Sequence, residues 1–404
     1  MSELYSLPDG WEWKKLEDLF TITSSKRVLK EDWLEKGIPF YRAREIVKLS
    51  QNGFVDNELF ISEEMYNSFS KKYGLPKVND ILVTGVGTLG ITYIVKENEK
   101  FYFKDGNIIW LKNDSNTNSK YIEYGFQTEF LKNQINSNSG STVATYTITN
   151  ANNTIIPIPP LEEQKRIVAK LDILFAKIDK AIALHQKNID EVNVFMASVL
   201  NDVFLELEEK YEKKELSNLV SKLGDGLHGT PKYDDNGEYY FINGANVKDN
   251  KIIVNQNTKK VNEDEYNKYK KELNDRTIFV SINGTIGNVG LYNNEKCILG
   301  KSACYFNLLE NIDKIYITYV LKNGDFQEYI EKNSTGATIK NVSLKTMRAY
   351  KIPLPPLPTQ QKVVAYLDEI SNKMEKIKQI QKDKMQSLKA LKASILDQAF
   401  KGEL

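Results

Sequence analysis

Two segments of the chain repeat apolar residues at helical spacing over about fifty residues each. Residues 161–210 and 359–401 contain no glycine or proline, and a proline-rich stretch precedes each of the two segments. Proline suits the first turn of a helix, where its missing N–H would have no partner anyway. The first segment keeps a strict heptad, which predicts a coiled-coil seam. Its apolar row is Val168, Leu171, Phe175, Ile178, Ile182, His185, Ile189, Val192, Met196, Val199 and Val203.

The second segment keeps the same register, because the two segments are offset by 196 residues, which is twenty-eight heptads. One of its two rows continues the seam with Leu367, Met374, Gln381, Leu388 and Ile395. The other row is more polar, at Ser371, Lys378 and Lys392. We expect Ile370, Ile377 and Leu391 to replace that row, which would rotate the second seam slightly relative to the first. A helix of ~45 residues is about 65 Å long, so two of them packed together would form a rigid spacer.

The remaining two stretches have a different pattern. Both are rich in Tyr, Ile, Val, Thr and Asn, in short runs that Gly and Asn interrupt, which favours strands joined by long loops. Helical periodicity appears within them at 119–135 and 313–330. Each stretch is therefore predicted to be a globular head with a mixed, β-rich fold. The order of its strands is not predictable from the pattern.

The chain is an internal duplication. PIPPLEEQKRIVAKLD at 157–172 matches PLPPLPTQQKVVAYLD at 353–368. Weaker matches pair SGST (139–142) with TGAT (335–338), and DILVTGVGTLG (80–90) with RTIFVSINGTIG (276–287). A period near 200 residues is too long for a solenoid and indicates a repeated head-plus-helix unit. The predicted fold is α+β, with heads at 1–156 and 211–352 and with long helices at 157–210 and 353–404 that pack antiparallel about a pseudo-twofold axis.

One polar residue interrupts each seam near its midpoint, at equivalent positions. These residues are His185 and Gln381. In an antiparallel pair the midpoints of the helices meet, so we expect the two side chains to lie close together and to fix the register. The alternative is that each of these side chains is simply exposed to solvent.

Composition and charge describe the class of protein without suggesting a ligand. The 404 residues are 41% hydrophobic, and their net charge is +1. Residues 1–156 hold 18 Lys and Arg against 20 Asp and Glu, whereas residues 213–352 hold 21 against 17. A phosphate-binding face would have to be a local patch. The first residues lack the apolar run of a signal peptide, and Cys297 and Cys304 form no CxxC pair, which favours a cytoplasmic protein.

Motifs for chemistry are weak. Gly85, Gly87 and Gly90 satisfy GxGxxG, but a strand-like ITYIVKE follows where a dinucleotide site needs a helix, and the second copy lacks the first glycine. The shared GT[LI]G core is better explained as a tight turn between strands. His228 has no Cys or His at ligand spacing, so no metal site is expected. Motifs of hydrolases, metalloproteases, phosphate-binding loops and amino-methyltransferases do not occur in the sequence. The sequence therefore predicts no enzyme.

Basic and amide side chains near turn signals are the remaining candidates. Such groups bind phosphates or the edges of guanine and adenine, although each of them could also be an ordinary surface residue. In the first head they are Lys26, Arg27, Arg42, Arg44, Lys71 and Lys72, with Thr84, Gly87 and Thr88 of the turn. In the second head they are His228, Thr230, Lys232, Asn243, Asn246, Lys270, Lys271, Asn283, Gly284, Thr285 and Lys301.

The ordered set of motifs resembles the DNA specificity (S) subunit of type I restriction–modification systems. The two proline-rich motifs, the opening LPDGWEWKKLEDL, the GDGLHGTPKY stretch and the ending LKALKASILDQAFKGEL carry the resemblance, which covers essentially the whole chain. It implies that each head is a target-recognition domain for one half of a bipartite, asymmetric DNA site, and that the helices measure the spacer.

The resemblance also implies partners. Two methyltransferase (modification) subunits would dock largely on the helices, bind S-adenosylmethionine and flip the target adenine. Restriction/translocase subunits would join and use ATP and magnesium. No cofactor is expected on this chain. Two alternatives remain: a fused restriction–methyltransferase enzyme, whose catalytic motifs are not found, and a coiled-coil scaffold that does not bind DNA.

Overall fold

A computed structural model describes residues 4–137 and 144–404 of the chain. The chain divides into two compact units. The first comprises Met1–His185 with Asp383–Leu404, and the second comprises Gln186–Lys382. Each unit therefore contains one head and a part of each long helix. The four segments expected from the sequence remain a prediction about domains.

The first head contains nine strands and five helices among its described residues. The strands are β1 (Glu12–Lys15), β2 (Thr21–Thr23), β3 (Ile38–Tyr41), β4 (Phe60–Ile61), β5 (Ile81–Thr84), β6 (Thr92–Ile94), β7 (Tyr102–Phe103), β8 (Ile108–Lys112) and β9 (Ile155–Ile158). The helices are α1 (Ala43–Asn52), α2 (Glu63–Tyr73), α3 (Ser119–Gln127), α4 (Glu129–Ser137) and α5 (Ile148–Asn153).

The first long helix, α6 (Leu161–Lys210), leads into the second head, and α11 (Leu357–Lys401) follows it. The strands of the second head are β10 (Lys213–Glu215), β11 (Val220–Gly224), β12 (Tyr239–Ile242), β13 (Val247–Lys248), β14 (Lys251–Ile252), β15 (Lys260–Val261), β16 (Thr277–Ser281), β17 (Val289–Leu291), β18 (Cys297–Leu299), β19 (Ala303–Leu308) and β20 (Lys351–Pro353). Its helices are α7 (Glu263–Tyr269), α8 (Lys314–Lys322), α9 (Gly324–Lys332) and α10 (Leu344–Ala349).

The two heads share one sheet topology. Each has a four-stranded antiparallel sheet, in the order β2-β8-β5-β6 or β11-β19-β16-β17. Each also has a three-stranded sheet, β4-β3-β7 or β15-β12-β18, whose last two strands are parallel. A two-stranded ribbon, β1-β9 or β10-β20, closes each head next to a long helix. The predicted duplication and the mixed, β-rich fold class are confirmed.

The heads differ where the chain leaves the central strand of the three-stranded sheet. In the first head, α1 follows β3 and ends at Gly53, whose φ of 75° suits a glycine after a helix. In the second head, a short 3-10 turn at Gly244–Asn246 and the β13-β14 hairpin stand in its place. The connection after β3 or β12 is thus the principal structural difference between the heads.

The helical periodicity predicted within each head is confirmed, with one break in each. The stretch at 119–135 forms α3 and α4, which separate at Thr128, and the stretch at 313–330 forms α8 and α9, which separate at Asn323. Both separating residues have extended backbone and start a new helix. The amide N–H of Gly324 donates to Asn323 Oδ1 at 2.8 Å, as at a helix N-terminus.

The predicted seam of α6 is confirmed, because every residue of its apolar row is buried or half-buried. The expectation for α11 was wrong in one respect. Ser371, Lys378 and Lys392 keep the inward positions and are half-buried, whereas Ile377 and Leu391 are exposed. A lysine can pack its methylene groups in a seam and still bring its ammonium group to the surface. Ile370 is half-buried beside Ser371, so the expected replacement fails at Ile377 and Leu391.

The long helices pack antiparallel within each unit. In the first unit, Arg166 donates to the main-chain oxygen of Leu404 at 2.7 Å, and Asp179, further along α6, accepts from Lys392 at 2.8 Å. In the second unit, Asn188 donates to Gln381 Oε1 at 3.4 Å, one helical turn after His185. The predicted proximity of His185 and Gln381 stays a prediction.

The duplicated proline-rich motif joins each head to its helix. Gln164 Oε1 accepts from the amide of Asn118 at 3.0 Å, and its Nε2 donates to the carbonyl of Pro159 at 2.9 Å. Gln360 repeats both contacts, with Asp313 at 2.8 Å and Pro355 at 2.9 Å. The repeated residues of this motif thus have a structural role.

Two tyrosines from the head strengthen each joint. Tyr121 donates to the carbonyl of Pro157 and Tyr124 to Asp172, at 2.9 and 2.5 Å. In the second head, Tyr316 donates to the Pro353 carbonyl and Tyr319 to Asp368. Burial raises the pKa of Tyr124 and Tyr319 first, and the nearby carboxylate raises it further, so both phenols stay protonated donors.

No described helix is long and apolar enough to cross a membrane. The SGST sequence at 139–142, which the duplication pairs with 335–338, lies outside the described residues.

Candidate nucleic-acid interface

In each head, one loop forms hydrogen bonds with three other segments. These segments contain most of the predicted contact residues. In the first head it follows β7, at residues 104–107. The amide of Lys104 donates to Tyr41 O at 2.8 Å, the amide of Gly106 to Ser24 Oγ at 3.2 Å, and the amide of Gly85 to Asn107 O at 2.8 Å. The loop thereby contacts the end of β3, the segment after β2 and the turn after β5.

The second head builds the same junction with the loop that follows β18, at residues 300–302. Gly300 donates to Ile242 O at 2.8 Å, Lys301 to Leu227 O at 3.0 Å, and the amide of Ile282 to Ser302 O at 2.9 Å. The parallel pairing of β12 with β18, like that of β3 with β7, places the carboxyl ends of both strands at one edge of the sheet. This edge is where the candidate side chains gather in each head.

The GT[LI]G sequences form tight turns between antiparallel strands, as predicted, joining β5 to β6 and β16 to β17. Gly87 and Gly284 have φ values of 80° and are exposed at the tips, together with Thr88 and Thr285. Strands on both sides of the turn leave no helix N-terminus for a pyrophosphate.

Thr84 lies beneath its turn, with no exposed surface. Its hydroxyl donates to Thr88 O at 2.5 Å and accepts from the amide of Ile91 at 3.0 Å. Ser281 accepts from Asn288 in the same way. The contacts of Thr84 support a role in shaping the turn.

Two predicted lysines of the first head lie against one aromatic ring, and their sequence neighbours Arg27 and Lys71 are exposed. The ammonium groups of Lys26 and Lys72 lie 5.6 and 5.4 Å from the centre of the Tyr73 ring. Lys71 is exposed on the last turn of α2, and Arg27 is exposed 3.4 Å from Asp105. Lysines around an exposed aromatic ring form a cationic surface of the kind that suits a phosphate backbone.

Arg42 and Arg44 stand at the start of α1, on the edge of the sheet, but carboxylates already bind them. Arg42 contacts Glu45 through three nitrogens, at 2.8 to 3.1 Å. Arg44 donates to Glu45 at 2.6 Å and also to Glu58. Burial of Glu45 alone would raise its pKa, but hydrogen bonds from Arg42 and Arg44 outweigh burial and lower it.

In the second head, three predicted residues line one cleft of about 500 Å³. His228, Asn283 and Lys301 come from the segment after β11, the β16–β17 turn and the loop after β18. His228 Nε2 lies 2.6 Å from Asp225 Oδ2, and Asn283 Nδ2 donates to Asn341 at 3.2 Å. The cleft offers a cation, amides and an imidazole within one concave surface.

Other predicted residues of the second head lie at its surface without joining this cleft. Asn246 Nδ2 donates to Ile253 O at 2.8 Å, and Asn246 Oδ1 accepts from the main-chain N–H of Asn243 at 3.0 Å. The side chain of Asn246 therefore shapes the 3-10 turn. The others are Thr230 and Lys232, both exposed, Gly284 and Thr285 of the turn tip, Lys270, and the half-buried Lys271.

The second head also has a tyrosine–lysine surface, of which sequence reasoning found Lys270 and missed the tyrosines. Tyr239 and Tyr266 stack at 4.0 Å between ring centres, with Lys296 and Lys270 5.9 and 5.7 Å from their rings. Tyr266 is the fourth residue of α7, and the fourth residue of α2 is Tyr66, whose ring lies 5.2 Å from the ammonium group of Lys100. The run of Tyr and Lys at residues 266–271 was the available signal.

Among the residues that the structure describes, no group of three or more His, Cys, Asp and Glu side chains could hold a metal ion.

Comparison with known proteins gives consistent matches. The model of the type I restriction modification DNA specificity domain matches residues 8–194 and again residues 208–383. A putative type I restriction enzyme specificity subunit of Haemophilus influenzae is 32% identical over 160 residues, which cover 39% of this chain and 38% of that protein.

Two relatives match over almost their full length. The putative MjaX specificity subunit of Methanocaldococcus jannaschii is 24% identical, covering 96% of this chain and 93% of its own. The StySPI specificity subunit of Salmonella potsdam is 24% identical, covering 98% and 90%.

Solved structures share the fold. A chain from a study of complex assembly and conformational transition of the type I R-M system has a TM-score of 0.73 at 20% identity, covering 99% of this chain and 100% of its own. The HsdS subunit from Thermoanaerobacter tengcongensis has a TM-score of 0.54 at 20% identity, with 99% of both chains covered.

Proposed function

The chain belongs to the family of type I restriction–modification DNA specificity domains, and from that premise we propose that its two heads bind the two halves of a bipartite, asymmetric DNA site. As a specificity subunit, it contributes DNA recognition to a type I restriction enzyme and no catalysis of its own.

The observation that carries this proposal is a common scaffold with different side chains on it. Both heads have the same sheets and the same three-way junction at one sheet edge. Next to the carboxyl end of the central strand, the first head exposes Arg44, whereas the second has Asn243. Arginine donates to the N7 and O6 acceptors of guanine, whereas asparagine donates to N7 of adenine and accepts from its N6 amino group, so equivalent surfaces with different chemistry fit two different half-sites.

Two copies of a methyltransferase subunit would dock on the long helices. The joint between head and helix occurs twice with the same contacts, which suits two identical partners. Helix α6 is continuous over 50 residues, so it would also fix the spacing between the half-sites. S-adenosylmethionine would bind to these partners, and ATP and magnesium would bind to the restriction/translocase subunits.

The test is adenine methylation by this chain with and without the modification subunit. We expect sequence-specific methylation only in the mixture, and sequencing of the methylated DNA would give the target site. Methylation by this chain alone would support a fused enzyme. A mixture with no effect on DNA would support a scaffold that does not bind DNA.

A further inference from the structure

Two carboxylates hold the arginines at the start of α1, and their surroundings differ. Glu45 is 2% exposed and accepts from Arg42 and Arg44 in addition to the main-chain amide of Arg42. Its side chain closes the first turn of the helix. Glu58 is 66% exposed, lies in the loop between α1 and β4, and binds Arg44 from the solvent side. Glu45 therefore belongs to the fold, whereas the fold does not need Glu58.

Glu58 is also near the second arginine. Its Oε2 lies 3.9 Å from a terminal nitrogen of Arg42, whose side chain is 23% exposed, whereas that of Arg44 is 50% exposed. Glu45 accepts from both arginines, but Arg44 is the more exposed of the two and its terminal nitrogen faces Glu58, so Arg44 is the guanidinium that a ligand can reach. A DNA phosphate and a guanine edge present the same kind of acceptor to a guanidinium as a carboxylate does.

We propose that Glu58 of the first head competes with DNA for Arg44 and lowers the affinity of that head for DNA. This inference rests on the proposed DNA-binding function. At the correct half-site, a well-placed acceptor takes Arg44, and the ion pair between Arg44 and Glu58 is lost. On DNA of the wrong sequence, a phosphate in an arbitrary position gains less from Arg44, so the pair is broken less often. The carboxylate thus lowers the affinity for the target at least as much as that for non-specific DNA.

The second head lacks this arrangement. Asn246 occupies the position of Glu45, and the segment that leads into β15, NQNTKK at residues 255–260, contains no carboxylate. The competition is thus a property of the first head, whose sequence also carries more acidic than basic residues. It accounts for a recognition surface with basic residues on a head that is not basic overall.

The experiment is a salt titration of DNA binding by the assembled specificity–modification complex. The probes are a duplex with the target site and a duplex of equal length without it. E58Q is expected to raise the affinity for the duplex with the target site by about 1.4- to 5-fold, the range typical of an exposed ion pair, with an equal or smaller increase for the duplex without it. For the duplex without the site, the slope of log affinity against log salt should steepen by up to ~0.9, since one more cation becomes available to phosphate.

Two controls separate competition from a general change in charge. E64Q removes an exposed carboxylate on the neighbouring helix α2 and should have a smaller effect than E58Q. In an R44A background, E58Q should do no more than E64Q, because the competed group is gone. Equal effects of E58Q and E64Q, or an E58Q effect that survives R44A, would overturn the proposal. Wild-type complex that fails to prefer its target would instead overturn the proposed function.

Discussion

Gln164 and Gln360 are buried residues that each satisfy two main-chain groups between a head and its helix. Each accepts from the N-cap residue of a helix and donates to the carbonyl of a proline. Gln360 is 1% exposed, so these main-chain groups have no access to water as an alternative partner. Loss of such a side chain destabilises the protein mainly because the buried main-chain groups that it binds are left without a hydrogen-bond partner.

We expect Gln360→Ala to lower the free energy of unfolding of the second unit by about 2–4 kcal/mol, because it leaves two buried polar groups unpaired and opens a cavity. Urea unfolding measures the change. The neighbouring Gln361 is exposed, and Gln361→Ala is the matched control, with an expected change below about 0.5 kcal/mol. Equal destabilisation by the two variants would show that the contacts of Gln360 are unimportant.

The turn after β16 contains two glycines with similar backbone angles but different surroundings. Gly284 has φ of 80° with open space around it, whereas a Cβ on Gly287, with φ of 84°, would lie 2.6 Å from Ile330 Cδ1. We expect Gly284→Ala to cost about 1–2 kcal/mol from backbone strain alone. Gly287→Ala should cost about 1–3 kcal/mol more, because the side chains of Gln327 and Ile330 on α9 must shift to make room for the methyl group. Thermal unfolding of both variants checks this order, and a reversed order would contradict it.

Individual contact residues could be only partly predicted from the sequence. His228, Asn283 and Lys301 were chosen because each lies near a turn signal, and they do share a cleft. Thr84 was chosen on the same grounds and is buried, because the direction of a side chain at the end of a strand depends on the sheet around it. The engagement of Arg44 with Glu58 depends on the return of a loop, which no local pattern encodes.

At the scale of elements, the seam of α11 contains a lysine where α6 has a methionine. Lys392 is the equivalent of Met196, and its ammonium group lies 2.8 Å from Asp179 and 4.7 Å from the centre of the Phe175 ring. Its side chain is 31% exposed, so the pair is screened by solvent. The methylene chain of Lys392 packs in the seam, and its ammonium group stays in contact with solvent.

We expect Lys392→Met to change the free energy of unfolding of the first unit by less than about 1 kcal/mol, because methionine keeps the packing and the lost ion pair is exposed. The difference from wild type should shift in favour of the variant between 0.05 and 1 M NaCl, as screening weakens the wild-type pair. Lys389→Met, at an exposed position on the same helix, is the control. Destabilisation by several kcal/mol at either salt concentration would show that the pair is essential to the seam.

Helices and strands were predictable to different extents, because their contacts join residues at different separations along the chain. The heptads predicted α6 and α11, since the periodicity of a helix is local. Strand order was not predictable: Glu12–Lys15 pairs with Ile155–Ile158, and only the folded head brings these segments together. The error over Ile377 and Leu391 came from ranking residues by polarity and neglecting the reach of a lysine side chain.

For the whole molecule, net charge limits what the chain can do alone. A charge of +1 over 404 residues gives little general attraction to DNA. We therefore expect the isolated chain to bind its target far more weakly than the complex with modification subunits, which would surround the duplex. Fluorescence anisotropy at physiological salt measures both affinities. Nanomolar binding by the isolated chain would contradict this expectation.

The contacts of the two equivalent glutamines affect how readily a head could be exchanged between related proteins. Gln164 and Gln360 bind main-chain atoms of the head, and the residues that supply the amide are Asn118 in one head and Asp313 in the other. These two contacts place few demands on the side chains of the head, whereas Tyr316 and Tyr319, which bond Pro353 and Asp368, would have to be kept in a replacement head. Recombination between related genes, or a deliberate graft, can therefore introduce a foreign head between residues 212 and 353 while both anchoring glutamines keep their partners. Such modularity would let the host acquire a new restriction specificity while the rest of the enzyme stays unchanged.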